Sequence, residues 1–278
     1  EQARKIRSTI QLVDDGTLRL DQSFYKGALV DQPNLYTNRL IELLGGRMGS
    51  RGDQPDDWTI SIAKAMQMVS EEIATHFLSH LHERTKRPRV VLGGGFFMNS
   101  VYNGRMLEQT PFKEMYVSYA PSDGGNSIGA ALYTAHCIHG QARAYSESSS
   151  FLGPEFSQEE VVSAIKRRRL SHKVLTEPEE AIADLIADGE IVAHFDGRME
   201  FGERALGNRS ILADPRNPEV KERINGIIKY REGYRPFAPA VRADQAHKFF
   251  DVVQGYECRY MEKVVPVRSE FRKYLPGV

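Results

Sequence analysis

A run of alternating local signals between Ile60 and Ile138 constrains this chain more than any other feature. Ile62, Met66, Val69, Ile73, Phe77 and Leu81 recur every three or four residues, which predicts a long helix over Ile60 to Arg84 with one face buried. The loop RTKRPR leads into RVVLGG, a short apolar run closed by glycine, as expected of a buried parallel strand. GGGFFMNS follows, then a helix around Ser100 to Gln109, a strand at MYVSYA, the loop PSDGGNS and an Ala-rich helix from Ile128 to about Ile138. Strand and helix alternate, which is the order of an α/β fold. Upstream, EQARKIRSTI reads as a basic helix or loop, IQLVDD and TLRLDQSFY as strand-like pieces, and Leu35 to Leu44 as a helix.

A polar break, GQARAYSESSS, interrupts the alternation, and Phe151-Leu152-Gly153-Pro154 opens a second unit. We expect two domains, 1 to about 150 and 151 to 278, the first α/β and the second mixed α and β. Ser157 with Glu160, and Thr176 with Glu179, match capping boxes at helix starts. The helix after Thr176 should stop at Gly189, with IVAHF as the next strand.

Chemistry concentrates between Gly197 and Ala240. That segment, which contains GRMEFGERALGNRSILADPR and INGIIKYREGYRPFAPA, holds nine Lys or Arg against six Asp or Glu, a local surplus of three positive charges in a chain whose net charge is zero. Arg198, Arg204, Arg209, Arg231 and Arg235 supply planar forks of donors and Lys229 a compact charge, interleaved with Gly202, Gly207 and Ser210. Small residues let backbone amides approach a ligand, so the composition suits phosphate or carboxylate. A salt-bridged surface is the competing reading.

Gly93-Gly94-Gly95 closes a strand at its carboxyl end, where α/β sheets bind ligands and where a nucleotide could lie flat. A crowded turn needs the same glycines. Asn99 and Asn103, four apart on the next helix, either face one ligand or face solvent. Asp123 precedes two glycines and a helix, and its spacing favours a helix cap over a metal or nucleotide ligand. His76 and His80 share a helical face, but no carboxylate accompanies them in a motif and they continue the buried-helix pattern, so we set a metal there aside. Lys166 to Arg169 reads as the wet last turn of a helix.

The bulk numbers exclude several classes. At 278 residues, 41% hydrophobic and 27% charged, the chain has room for a sizeable core. Zero net charge provides no global field for nucleic acid or an anionic membrane. Cys137 and Cys258 are too few for a disulfide framework, no apolar stretch approaches the roughly 20 residues of a membrane span, and the N-terminus lacks a signal-peptide pattern, so the expectation is a cytoplasmic protein.

GGGFFMNSVYNGRM, APSDGGNSIGAALY, GRMEFGERALGNRSILADPR and IKYREGYRPFAPAV closely resemble the ATP-dependent O-carbamoyltransferases of antibiotic and nodulation-factor biosynthesis. The resemblance covers most of the chain and is loose over residues 1 to about 55 and 241 to 278. It implies the second half of a domain of the actin, sugar-kinase and heat-shock ATPase superfold, followed by the first part of a YrdC-like domain, with both ends missing. Ala193-His194-Phe195 stands where a more apolar strand is usual, and Glu203 where Pro is common.

The resemblance also implies the chemistry. Carbamoyl phosphate loses phosphate to give carbamate, which attacks the α-phosphorus of ATP to form carbamoyl-adenylate and pyrophosphate. A hydroxyl of a small-molecule acceptor then takes the carbamoyl group with help from Fe2+. By that resemblance Arg204, Arg209 and Lys229 are catalytic; Arg198, Ser210, Arg231 and Arg235 bind substrate; Gly94, Gly95, Asn99 and Asn103 hold the adenylate; and Asp123 is a metal ligand. Mg2+ is a further candidate alongside ATP, and the missing halves of the same enzyme are candidate partners. The rival readings are a tRNA threonylcarbamoylation-type enzyme, which would need an RNA surface, and a nucleotide-binding fragment inactive alone.

Overall fold

A computed structural model describes residues 1–26, 35–47, 55–144 and 149–278. It is mixed helix and small sheets, an α/β protein, and it divides into two compact units, Glu1–Val90 with Arg105–Met115, and Val91–Gly104 with Tyr116–Val278. Residues 145–148 of the polar break lie outside the described residues. No described helix is long and apolar enough to cross a membrane.

In the first unit α1 (Gln2–Arg7) leads into an antiparallel hairpin of β1 (Ile10–Leu12) and β2 (Leu18–Leu20), with Ile10 opposite Leu20. Gly16, at φ +85° in the hairpin turn, lies against the ring of His80, so only glycine meets both demands there. The ring of His76 bonds the Val13 carbonyl at 3.0 Å, so both helical histidines lean on the turn. α2 (Asn38–Leu44) follows, then α3 (Asp57–Thr85). Asp56 starts α3 by accepting from the Thr59 amide, and Lys86 in left-handed conformation ends it.

The buried stripe of α3 is not the one expected. Ala65, Val69, Glu71, Ala74 and Leu78 are buried, whereas Met66, Phe77 and Leu81 are exposed. Ala65 and Val69 form one core with Ile6 and Ile10, and Ala3, Leu12, Leu18, Leu20, Leu44 and Ile73 pack around it. Alanine lets α1 approach α3 closely, so size decided the inward face as much as hydrophobicity did.

β3 (Arg89–Leu92) pairs with β4 (Glu114–Val117), and α4 (Ser100–Gln109) lies between them in sequence. Burial along β3 alternates, with Val90 and Leu92 inside and Val91 75% exposed. The strand is therefore covered on one face, where the apolar run suggested two. α4 carries Tyr102 and Met106, both 0% exposed. α5 (Asn126–Tyr133) continues as π-helix through Ile138, close to the expected Ala-rich helix.

α6 (Gln158–Arg167) begins with the expected reciprocal capping box of Ser157 and Glu160. The second expected box is absent. α7 (Pro178–Ala187) starts with Pro178 in its first turn, where a missing amide costs nothing, so Glu177 becomes the N-cap and Thr176 falls outside. Gly189 at φ +87° closes this segment, and β5 (Val192–Phe195) pairs antiparallel with β6 (Arg209–Leu212). α8 (Val220–Arg223) runs into a π-helical turn ending at Lys229, and α9 (Ala246–Phe249) precedes a bridge between Phe250 and Val267.

Candidate active site

The second unit brings together three glycine-containing loops that are distant in sequence. The first, Gly93 to Asn99, turns at Gly94, whose φ of +108° favours glycine and whose amide donates to the Pro121 carbonyl at 2.6 Å. That carbonyl belongs to the second loop, Tyr119 to Gly125. The third, Phe201 to Ser210, meets the second at Gly202, where an added Cβ would collide with the Tyr119 carbonyl. Ser122 donates to the Glu203 carboxylate, and Arg204 Nη2 reaches the Met98 carbonyl at 3.4 Å. Glu203 thus ties two loops together. Among the described residues nothing lies within 4 Å of where a Cβ on Gly95 would sit, which leaves open space over that turn.

The third loop is built around a carboxylate that the sequence reading did not single out. Glu200 Oε1 accepts from the amides of Leu206 at 2.7 Å, Asn208 at 2.9 Å and Arg209 at 3.4 Å. Desolvation pushes its pKa up, but those amides outweigh it and hold the carboxyl below its ordinary value. Asn208 Nδ2 donates to the Arg198 carbonyl at 2.7 Å, and Ser210 Oγ accepts from the Gly207 amide at 3.0 Å.

The basic residues divide into committed and available groups. Arg209 donates to the carbonyls of Asp196, Asn208 and Gly197, at 2.7, 2.8 and 3.1 Å, and stacks 3.6 Å above the Phe195 ring. Arg198 straps the Gly153 and Leu152 carbonyls at 3.1 and 3.3 Å. Arg216 pairs with Asp214 at 2.6 Å and Arg235 with Glu232 at 2.7 Å, so the salt-bridged reading holds for these two. Arg231 places Nε on Asn225 Oδ1 at 2.7 Å and its guanidinium over Phe237. Lys229 is exposed and has no hydrogen-bond or ion-pair partner among the described residues. Arg204, exposed and with one long contact, is similarly available.

Asn225, 1% exposed, organises the loop that carries Arg231 and Arg235. Its Nδ2 donates to the Arg235 carbonyl at 3.0 Å and the Gly233 carbonyl at 3.4 Å. A lone Asn among the apolar residues of INGIIK was the available signal. Asn103 is a buried clamp of the same kind: Nδ2 donates to the carbonyls of Phe97 at 2.8 Å and Glu262 at 2.9 Å, and Oδ1 is buried without a hydrogen-bond partner among the described residues. Asn99 Oδ1 accepts from the Tyr102 amide at 3.2 Å, at the start of α4. The two asparagines are therefore held by backbone groups and do not stand side by side on a solvent face.

Asp123 is exposed and opens a single 3-10 turn ahead of α5, with no side-chain cap bond at either helix start. The cap that its spacing favoured is absent, because the backbone reaches α5 through Gly124 and Gly125. Among the described residues no three His, Cys, Asp or Glu converge as a metal site.

The chain matches two family models, the carbamoyltransferase N-terminus over residues 15–132 and the carbamoyltransferase C-terminus over residues 183–278. It is 37% identical over 221 residues to the nodulation protein NolNO of Sinorhizobium fredii, covering 78% of this chain and 32% of that protein. Over 244 residues it is 26% identical to the 3'-hydroxymethylcephem-O-carbamoyltransferase of Streptomyces clavuligerus, covering 87% and 44%. An uncharacterised protein of Synechocystis is 33% identical over 271 residues, covering 95% and 43%. The chain spans less than half the length of these relatives.

Proposed function

Because the chain belongs to the O-carbamoyltransferase family, we propose that it is part of an enzyme that forms carbamoyl-adenylate and passes the carbamoyl group to a hydroxyl of a small molecule. Carbamoyl phosphate reacts with water to give carbamate and phosphate. A carbamate oxygen then attacks the α-phosphorus of ATP and pyrophosphate leaves. The acceptor oxygen attacks the carbamoyl carbon, its proton is lost, and AMP departs.

One observation carries this reading: Arg204 and Lys229 keep their charges unspent in a segment where the other candidate cations hold the backbone or acids. In this proposal they neutralise the phosphates as charge shifts from the α-phosphorus to the leaving pyrophosphate. Ser210 accepts from Gly207 through Oγ, which leaves its own proton for a phosphate oxygen. Arg231 and Arg235, each anchored through Nε, have terminal nitrogens free of partners among the described residues and would complete the donor set. Arg198 and Arg209 shape the loop, since their donors are already committed. The open turn at Gly94 and Gly95 would receive the flat face of the adenylate, and Asn99 and Asn103 would hold that turn in place.

Mg2+ would accompany ATP. Fe2+, which the family reading supplies as a Lewis acid for transfer, finds one exposed carboxylate at Asp123 and no convergent set among the described residues. The described residues do not make such a site by themselves, and no step here passes through it.

The test uses the full-length enzyme. Arg204→Ala or Lys229→Ala should slow carbamoyl-phosphate-dependent pyrophosphate release by about 10²- to 10³-fold, the cost of one removed charge-stabilising donor. Transfer from supplied carbamoyl-adenylate should survive. Equal loss in both half-reactions would assign these residues to the wrong step.

A further inference from the structure

We propose that the exposed stretch from Lys166 to Leu175 docks this protein on a negatively charged lipid bilayer. Zero net charge provides no global attraction, so binding to an anionic surface needs a local patch, and the chain holds one here. From Val161 to Thr176 there is no Asp or Glu, while Lys166, Arg167, Arg168, Arg169 and Lys173 supply five cations. All five are exposed, and none has an ion-pair or side-chain hydrogen-bond partner among the described residues. No part of the reaction proposed above uses them.

The end of α6 accounts for some of this charge and not for the rest. Lys166 and Arg167 sit in its last turn and Arg168 is its C-cap, where cations suit the helix dipole. Arg169 and Lys173 lie past the cap, beyond the turn over which the dipole acts. Arg169 stands at φ +55°, with its amide on the Lys166 carbonyl at 3.0 Å and the Leu170 amide on the Ile165 carbonyl at 3.1 Å. Glycine is the usual residue at such a helix end, so a cation occupies a place where termination alone favours no side chain.

Apolar side chains alternate with the charges. Leu170 is 59%, Val174 90% and Leu175 50% exposed. α6 has an apolar side of its own, but Val161, Val162 and Ile165 there are half-buried, so the most uncovered hydrocarbon lies in the segment that follows the helix. Leu and Val can enter the boundary between headgroups and acyl chains while Lys and Arg meet the headgroup phosphates, the combination that holds a peripheral protein on anionic lipid. Nucleic acid would engage the charges alone. The stretch has no Phe, Tyr or Trp on which a base could stack, and a phosphate backbone would leave the three apolar side chains in water.

Co-sedimentation of the full-length protein with vesicles tests this. Vesicles of phosphatidylcholine with an equal part of phosphatidylglycerol should bind it at least about 10-fold more strongly than vesicles of phosphatidylcholine alone. The difference should shrink as salt rises from about 0.1 to 1 M, because the screening length falls from about 10 to 3 Å. Each basic residue near such a surface contributes about a 5-fold gain, so Arg167→Gln with Arg168→Gln should weaken binding by about 25-fold. Leu170→Ser with Val174→Ser keeps all five charges and should weaken it by about 10-fold. Melting curves identify a pair that does not fold, in which case the other pair decides. Equal binding to the two kinds of vesicle, or undiminished binding in either folded variant, would overturn the proposal. So would binding to a single-stranded oligonucleotide that matches binding to the anionic vesicles and is lost with the two arginines, which would make the patch a nucleic-acid surface.

Discussion

Glu200 holds the RALGNRS loop in shape, and its removal should open that loop without unfolding the protein. Two of its three amide bonds, at 2.7 and 2.9 Å, are short, and the third is long. Hydrogen bonds to a charged acceptor contribute about 1.5 to 3 kcal/mol each when protected. This site is half-exposed, so water would replace part of what is lost, and Glu200→Ala should cost about 2 kcal/mol. Glu200→Gln keeps an acceptor oxygen but loses the charge, for about 1 kcal/mol. Hydrogen exchange reads this directly: the amides of Leu206, Asn208 and Arg209 should exchange about 30-fold faster in the Ala variant and about 5-fold faster in the Gln variant, at about 1.4 kcal/mol per decade. The parent has a pH signature as well. The folded carboxyl titrates below its ordinary value, so the unfolded state binds more protons, and Glu200's stabilisation is complete above about pH 4.3 and lost as pH falls through the folded pKa. Less than a 2-fold change in exchange for Glu200→Ala would refute the claim that this carboxylate shapes the loop.

Three further outcomes follow from the packing. Gly104→Ala drives a Cβ into the Val264 carbonyl, a backbone atom that cannot swing aside, and should cost about 2 to 3 kcal/mol, measured by urea unfolding. Asn103→Ala removes the buried clamp between the Phe97 and Glu262 carbonyls and should cost about 2 to 4 kcal/mol; a loss below about 1 kcal/mol would show that water replaces it. Asp56→Asn should keep most of the melting temperature, because Asn also caps, while Asp56→Ala should lower it. The Asp56 carboxyl is held near 2 by the Thr59 amide, the Thr59 hydroxyl and Arg47, so its contribution is full above about 3.8 and fades as pH falls toward 2.

Local pattern determined a good deal of this protein. The helical period places α3 within three residues of its observed ends, the Val-Val-Leu run closed by glycine marks β3, and Ser157 with Glu160 marks the start of α6, because each depends on neighbours a few residues away. The motif pattern also sufficed to identify the family. Tertiary structure decided what those neighbours could not. Which face of α3 points inward was set by how closely α1 approaches Ala65, and which arginines remain available was set by the carbonyls, rings and carboxylates that claimed the others. Glu200, Asn225 and Asn103 form bonds spanning 6 to 159 residues. Charge and hydrogen-bonding capacity are written residue by residue, but their availability depends on long-range partners, and that is a property of the folded chain.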